Sequence, residues 1–181
     1  MDRGNLVKSL HSYLTAYKEE ANFVSLFLDL LKHPRCYLRD HLPGHVTGSA
    51  WIIDPIEKVA LLTHHAKLDK WLQPGGHADG EEDILTVAIN EMKEETGISL
   101  FKNPVSFFDI DIHPIPARND FPLHDHYDVR FLIEADSSSG LVISSESKEL
   151  RWISWGDVGR YTSSNRSIER MLDKTIAIYR V

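Results

Sequence analysis

Three glutamates, Glu91, Glu94 and Glu95, crowd into one short stretch, downstream of the turn Pro74-Gly75-Gly76. Ile84, Leu85, Ala88, Ile89 and Met92 recur at helical spacing, so the segment from 84 to 95, ending Thr96-Gly97-Ile98, reads as a helix of about three to four turns. It stops at Gly97. At roughly 100° per residue the three carboxylates fall within an arc of about 100° beside the apolar stripe. One face is therefore buried, and the adjoining edge carries three like charges. Carboxylates at i,i+4 repel one another in an isolated helix, so the arrangement calls for a compensating charge. A hard divalent cation bound through oxygen supplies it. Gly75 and Gly76 let the backbone come close to such a ligand.

Gly76, Glu82, Asn90, Glu91, Met92, Glu94, Glu95, Gly97 and Ile98 together form a longer pattern, with five residues between Gly76 and Glu82 and seven between Glu82 and Asn90. This pattern resembles the Nudix box. Every fixed position fits but one: Asn90 stands where the family has Arg. The resemblance covers about residues 45 to 180. It implies an α/β fold, a Nudix-type α/β/α sandwich with a mixed sheet, the glutamate helix on one side and the C-terminal helix on the other. It also implies that Glu91, Glu94 and Glu95, with the carbonyl of Gly75, hold Mg²⁺ or Mn²⁺. Gly76 belongs to the same cofactor-binding turn, and Glu82 braces the loop and assists at the metals. The family's Arg pairs with that Glu, so Asn90 replaces an ion pair with at most a hydrogen bond, which bears on rate more than on fold.

The reaction implied is hydrolysis of the pyrophosphate bond of a nucleoside diphosphate linked to another moiety. Divalent ions suit it because they polarise the phosphoryl group and lower the pKa of bound water. Glu91, Glu94 and Glu95 are candidates for the base, and Glu134 is one outside the box. Pro114, sixteen residues beyond Ile98, resembles a marker of ADP-ribose pyrophosphatases and tilts the substrate that way. Two other readings stand beside this one. Asn90 favours a Nudix-fold module that binds a nucleotide without cleaving it. His124 and His126, at i,i+2 on a strand, favour a histidine-based metal-binding protein, although no closed zinc spacing surrounds them.

The chain has 181 residues, room for one domain with a sizeable core and an extension. A net charge of −7 argues against extended nucleic acid as a partner, while a small nucleotide remains compatible once cations are bound. A single cysteine, Cys36, excludes an internal disulfide. With no secretory pattern and no long apolar run, the expected address is cytoplasmic, with no membrane contact.

Residues 1–44 read as an N-terminal helical extension and 45–181 as the Nudix domain. Periodic apolar residues from Leu6 to Leu31 predict one long helix, or two with a bend near 19–22, ending before Pro34. Its apolar face suits packing on the domain or a homodimer interface. Strands are expected over 45–54 and 58–64, over 105–115 and 124–135, and over 149–155, with a last helix after Ser164 or Asn165. Alternation places Asp109, Asp111 and His113 on one face, and His124, His126, Asp128, Arg130 and Glu134 on another. Paired, these faces make either a solvated sheet surface or the floor of a cleft in which Asp128, Arg130 or Glu134 orients water or phosphate.

Overall fold

Strand β1 (Gly44–Asp54) is buried along its whole length, and the other elements are arranged on it. The computed structural model describes every residue except Asn103, Asn119, Asp120, Arg180 and Val181. The elements are helices α1 (Arg3–His11) and α2 (Lys18–Leu30), β1, β2 (Val59–His65), β3 (Lys70–Leu72), β4 (Gly75–His77), α3 (Ile84–Thr96), β5 (Ser106–Ile115), β6 (His124–Glu134), β7 (Ser147–Ser154), α4 (Val158–Tyr161) and α5 (Arg166–Tyr179). The sheet runs β3-β2-β1-β6-β5, with β4 pairing β1 and β7 pairing β2. β1 and β6 are parallel, from Gly44↔Asp125 to Ile53↔Glu134, while the remaining pairings are antiparallel. This is the mixed sheet expected.

Alternation along β1 builds two cores. Val46 packs with Leu6, Leu10, Phe27 and Leu31 of the N-terminal segment and with Ile84, Val87 and Ala88 of α3. Ala50 and Ile52 continue that face against Met92 and Ile98. Trp51 and Ile53 point the other way, onto Val158, Ile168 and Met171. The Trp51 indole also donates to Thr175 Oγ1 on α5, at 2.9 Å. Helices therefore cover both faces, as the sandwich requires.

The N-terminal helices differ from expectation in where they break. The interruption falls at residues 12–17 rather than near 19–22. Its cause is Glu20, wholly buried, whose carboxylate accepts from Tyr13 Oη at 2.6 Å and from Thr15 Oγ1. A continuous helix would carry Tyr13 and Thr15 away from that carboxylate. The segment at 141–143 is loop, and Val142 N–H bonds the Thr96 carbonyl at the end of α3. Gly97 sits there at φ 75°, with Val142 so close that a Cβ would come within 2.8 Å. Glycine is required at that position for both reasons.

Candidate functional site

Asp83 starts α3 by accepting from Thr86 N–H at 3.0 Å, and Gly97 ends it, so the helix is pinned at both ends. It buries Ile84, Val87, Ala88 and Met92 against the sheet. That orientation turns Glu91 and Glu95 toward β4 and leaves Glu94 exposed. Glu95 is 7% exposed, and its Oε1 accepts from Gly75 N–H at 2.8 Å. Glu91 lies against Gly76, where a Cβ would meet Glu91 Oε1 at 2.4 Å. At Gly75 a Cβ would strike Ser49 Oγ at 2.2 Å. At Gly75 the backbone carbonyl of Gly48, 2.9 Å from such a Cβ, also excludes a side chain, while at Gly76 a Cβ would displace the Glu91 carboxylate from its place.

Burial pushes Glu91 up to about 7, and Glu94, Glu146 and Asp79 push it further than Arg39 pulls it back. Glu95 also rises to about 7, burial again leading, with Glu91, Glu146 and Glu94 opposing the help of the Gly75 N–H. The site is thus short of positive charge. Glu146, on the loop before β7, is a fourth carboxylate that the local pattern in the sequence does not mark. It acts on both buried glutamates only because the chain folds back.

Glu82 is exposed and sits at the loop before α3. Its partner is Arg3 of α1, which donates Nη2 to Oε1 at 2.6 Å and Nε to Oε2 at 3.1 Å. The same guanidinium reaches the carbonyls of Leu31, His33 and Pro34. Asn90 is exposed on α3, and the bidentate cation on Glu82 comes from the N-terminal segment. Arg3→Ala is therefore expected to lower kcat roughly 10-fold with little change in KM. Adding Asn90→Arg to that variant should restore most of the rate. Steady-state kinetics of the single and double variants check this; an unchanged kcat in Arg3→Ala would remove the role.

The polar faces of β5 and β6 do pair antiparallel, but neither expectation for them holds in full. Arg130 is buried, bonded through Nε to Asp128 at 2.8 Å and through Nη1 and Nη2 to Asp109 and Asp111, each at 3.2 Å. Arg170 of α5 bonds Asp109 at 2.9 Å, and Lys174 bonds it at 2.8 Å. This part of the surface is roofed by α5, so it is not solvated, and Arg130 has its donors engaged by carboxylates rather than turned to phosphate. Glu134 is held by Lys102 at 3.0 Å and by Tyr179 at 2.5 Å, away from α3. Pro114 lies exposed on the edge strand β5, where a missing N–H is tolerated, so sheet position alone accounts for it.

Histidines collect at the other end of the same face. The parallel ladder pairs His45 with His126, the antiparallel one pairs His126 with His113, and β4 brings His77 opposite Thr47. Ring centroids of His45, His77 and His126 are 4.9 to 5.2 Å apart. His126 is held down to about 2 by burial and by the neighbouring imidazoles, and His45 to about 4 by burial and His77. His77 is lowered as well, by burial first and then by Arg39, so these three imidazoles are held toward the neutral form. His124 and His126 do share a face, with rings 5.3 Å apart, but His124 Nδ1 is engaged by the Pro122 carbonyl at 2.9 Å. The residues grouped with His126 are His45 and His77, not His124. Beside them lies a pocket of about 240 Å³ lined by Arg39, His77, Arg118, Phe121, His124 and His126, among others.

Comparison with protein families matches residues 44–173 to the NUDIX domain. The chain belongs to the Nudix hydrolase family. Among curated relatives, the human "m7GpppN-mRNA hydrolase NUDT17" is 28% identical over 109 residues, which is 56% of this chain and 31% of that protein. The chain thus spans about a third of the length of that relative. A solved NUDIX-family hydrolase from Clostridium perfringens is 25% identical, covering 71% of this chain and 96% of its own, with a TM-score of 0.55. A C. elegans Ap4A hydrolase complex shares the fold at a TM-score of 0.58 and 20% identity, over 74% of this chain and 96% of that one. Among the described residues no helix is long and apolar enough to cross a membrane.

The residues of the Nudix box fit a hard divalent ion. Glu91 and Glu95 are buried carboxylates, raised by burial and by neighbouring carboxylates, that face Gly75 and Gly76, and oxygen is the donor that Mg²⁺ and Mn²⁺ prefer.

Proposed function

We propose that this Nudix-family chain hydrolyses the pyrophosphate bond of a nucleoside diphosphate linked to another moiety. Glu91, Glu94, Glu95 and the Gly75 carbonyl would hold Mg²⁺ or Mn²⁺, which supplies phosphoryl polarisation and an acidified water. The observation that carries the reading is the pair of buried carboxylates, Glu91 and Glu95, packed against the Gly75-Gly76 backbone and raised to about 7. In this reading Glu95 is kept in place by the Gly75 N–H and fixes the spacing of α3 from β4. Glu94, exposed on the outer edge of α3, would face the substrate phosphates, and Glu91, against Gly76, would stand between it and Glu95. Glu82, braced by Arg3, holds the loop that leads into the helix. The unit that carries the chemistry is residues 45–181, with 1–44 as the helical extension packed on it.

A panel of dinucleoside polyphosphates, nucleoside diphosphate sugars, ADP-ribose, oxidised nucleoside triphosphates and a methylated cap dinucleotide, each with Mg²⁺ or Mn²⁺, tests the reading. The cap compound enters because a relative is named for that substrate. Turnover of at least one member, lost on chelation, supports hydrolysis. Binding without turnover across the panel would favour the nucleotide-binding module.

The raised carboxylates set the pH dependence of metal binding. Ions require the deprotonated form. Since Glu91 and Glu95 titrate near 7, protons compete below that pH and cease to compete above it. Mg²⁺ or Mn²⁺ affinity is expected to fall by roughly 10- to 100-fold between pH 8 and pH 6. Isothermal titration with Mn²⁺ at the two pH values measures it; equal affinities would contradict the assignment.

A further inference from the structure

Three strands that are distant in sequence bring His45, His77 and His126 together, and the ligand atoms these residues offer all lie within 4.8 Å of one another. Imidazole nitrogens around a tetrahedral ion at about 2.0–2.1 Å stand roughly 3.3 Å apart, a gap that small χ rotations close. Two further facts point to a ligand. His45 is 1% exposed, and its Nε2 is buried without a partner, as is Nε2 of His126. Buried nitrogens in native folds are almost always paired. The Nδ1 of His45 faces the His41 carbonyl at 3.4 Å, which favours the proton on Nδ1 and leaves the lone pair on Nε2. Orientation of a ligating imidazole by a backbone carbonyl is the usual support for a metal-bound histidine.

We propose that His45, His77 and His126 form a transition-metal site of the zinc type, separate from the glutamate centre, with an open coordination position toward the adjoining pocket. The donor sets divide the ions between two centres. Three neutral imidazoles select a borderline ion such as zinc or cobalt over magnesium, and oxygen-only donors do the reverse. Three protein ligands rather than four leave one position free. His77 and His126 line the pocket as well as the cluster, so the free position faces space for water or for an anionic oxygen of a ligand. Arg118 lines the same pocket and suits such an oxygen, whereas Arg39, also on its wall, is already paired with Asp79. His113, held by Asp111 at 3.1 Å, and His124, stacked on His45 at 5.0 Å, close the sides. The parallel register of β1 and β6 is what makes the site, because it sets His45 directly against His126.

The test uses the untagged full chain, stripped with a chelator and titrated with Co²⁺ and then Zn²⁺. Tetrahedral cobalt absorbs strongly in the visible, whereas cobalt held octahedrally by oxygen absorbs weakly. The expected result is a strong spectrum saturating at one equivalent, abolished by one equivalent of zinc and insensitive to excess Mg²⁺. His77→Ala and His126→Ala are expected to weaken cobalt binding on the order of 100-fold. Glu95→Gln should leave it unchanged. A weak spectrum only, a strong one that survives both histidine substitutions, or one lost in Glu95→Gln overturns the proposal. His45 is a core residue, so it is left intact; circular dichroism confirms that the two variants fold, and the wild-type spectrum decides the matter if they do not. The readout needs no turnover, so it stands apart from the outcome of the substrate panel.

Discussion

Glu95→Gln should abolish measurable hydrolysis while making the metal-free protein more stable. The amide keeps the oxygen that accepts from Gly75 N–H, so the contact between α3 and β4 survives. What disappears is a charge. Loss of a ligand that neutralises phosphoryl charge costs catalysis about 10²- to 10⁴-fold. On the stability side, the carboxylate titrates near 7 in the folded chain and in the ordinary range when unfolded. The folded form holds the proton more tightly between those limits, so metal-free wild type loses stability as pH rises through them and stays lower above 7. At pH 8 Glu95→Gln escapes that loss, worth on the order of 1–3 kcal/mol, or several degrees in Tm. Below about pH 4.5 the difference should vanish. Thermal melts in chelator at pH 4 and pH 8, with parallel activity assays, test both halves. An active variant, or one less stable at pH 8, would show that Glu95 is a structural partner and nothing more.

Arg130→Met is expected to be among the most damaging single substitutions in the chain. Burial alone would push Asp109 and Asp111 up. The Arg170 hydrogen bond and the Arg130 charge outweigh it for Asp109, and the charge of Arg130 and the bond from His113 do so for Asp111. Both carboxyls therefore sit below the ordinary range. Their contribution to stability is present above the unfolded carboxylate pKa and is lost only as pH falls through the depressed values. Removing Arg130 takes away the one cation shared by Asp128, Asp109 and Asp111; Arg170 and Lys174 stay on Asp109, but the buried cluster is left short of positive charge, a cost of about 3–5 kcal/mol at pH 7. The deficit should shrink toward pH 4, where the orphaned carboxyls of the variant take up protons. Urea denaturation at the two pH values distinguishes this from loss of side-chain volume, which would be independent of pH.

The α3 signal is local, which is why it could be read in the chain. Apolar spacing, the carboxylate edge and the Gly97 stop all lie within one helix, and the structure reproduces its limits. Val87 is buried there too, outside the stripe of Ile84, Leu85, Ala88, Ile89 and Met92. Strand alternation likewise gave the polar faces of β5 and β6, yet not what covers them. Burial under α5 depends on where residues 166–179 dock. The Arg3 contact to Glu82 spans 79 positions, and Glu146 reaches α3 through a loop closure, so neither leaves a mark in spacing. His124 and His126 were conspicuous as neighbours in sequence. The group that forms instead depends on the register of two parallel strands, which no local pattern encodes.

That parallel pairing of β1 with β6 also bears on how the protein assembles. Its ladder joins residues about 80 positions apart, and closing so large a loop is entropically slow compared with winding a helix. α3 can gain helical turns early, but its carboxylates have a sheet to lean on only after β6 arrives. A nascent chain released before residue 134 would carry the whole box and still lack the central neighbour of β1. Metal affinity acquired during refolding should then track the slowest phase, not the first appearance of helix.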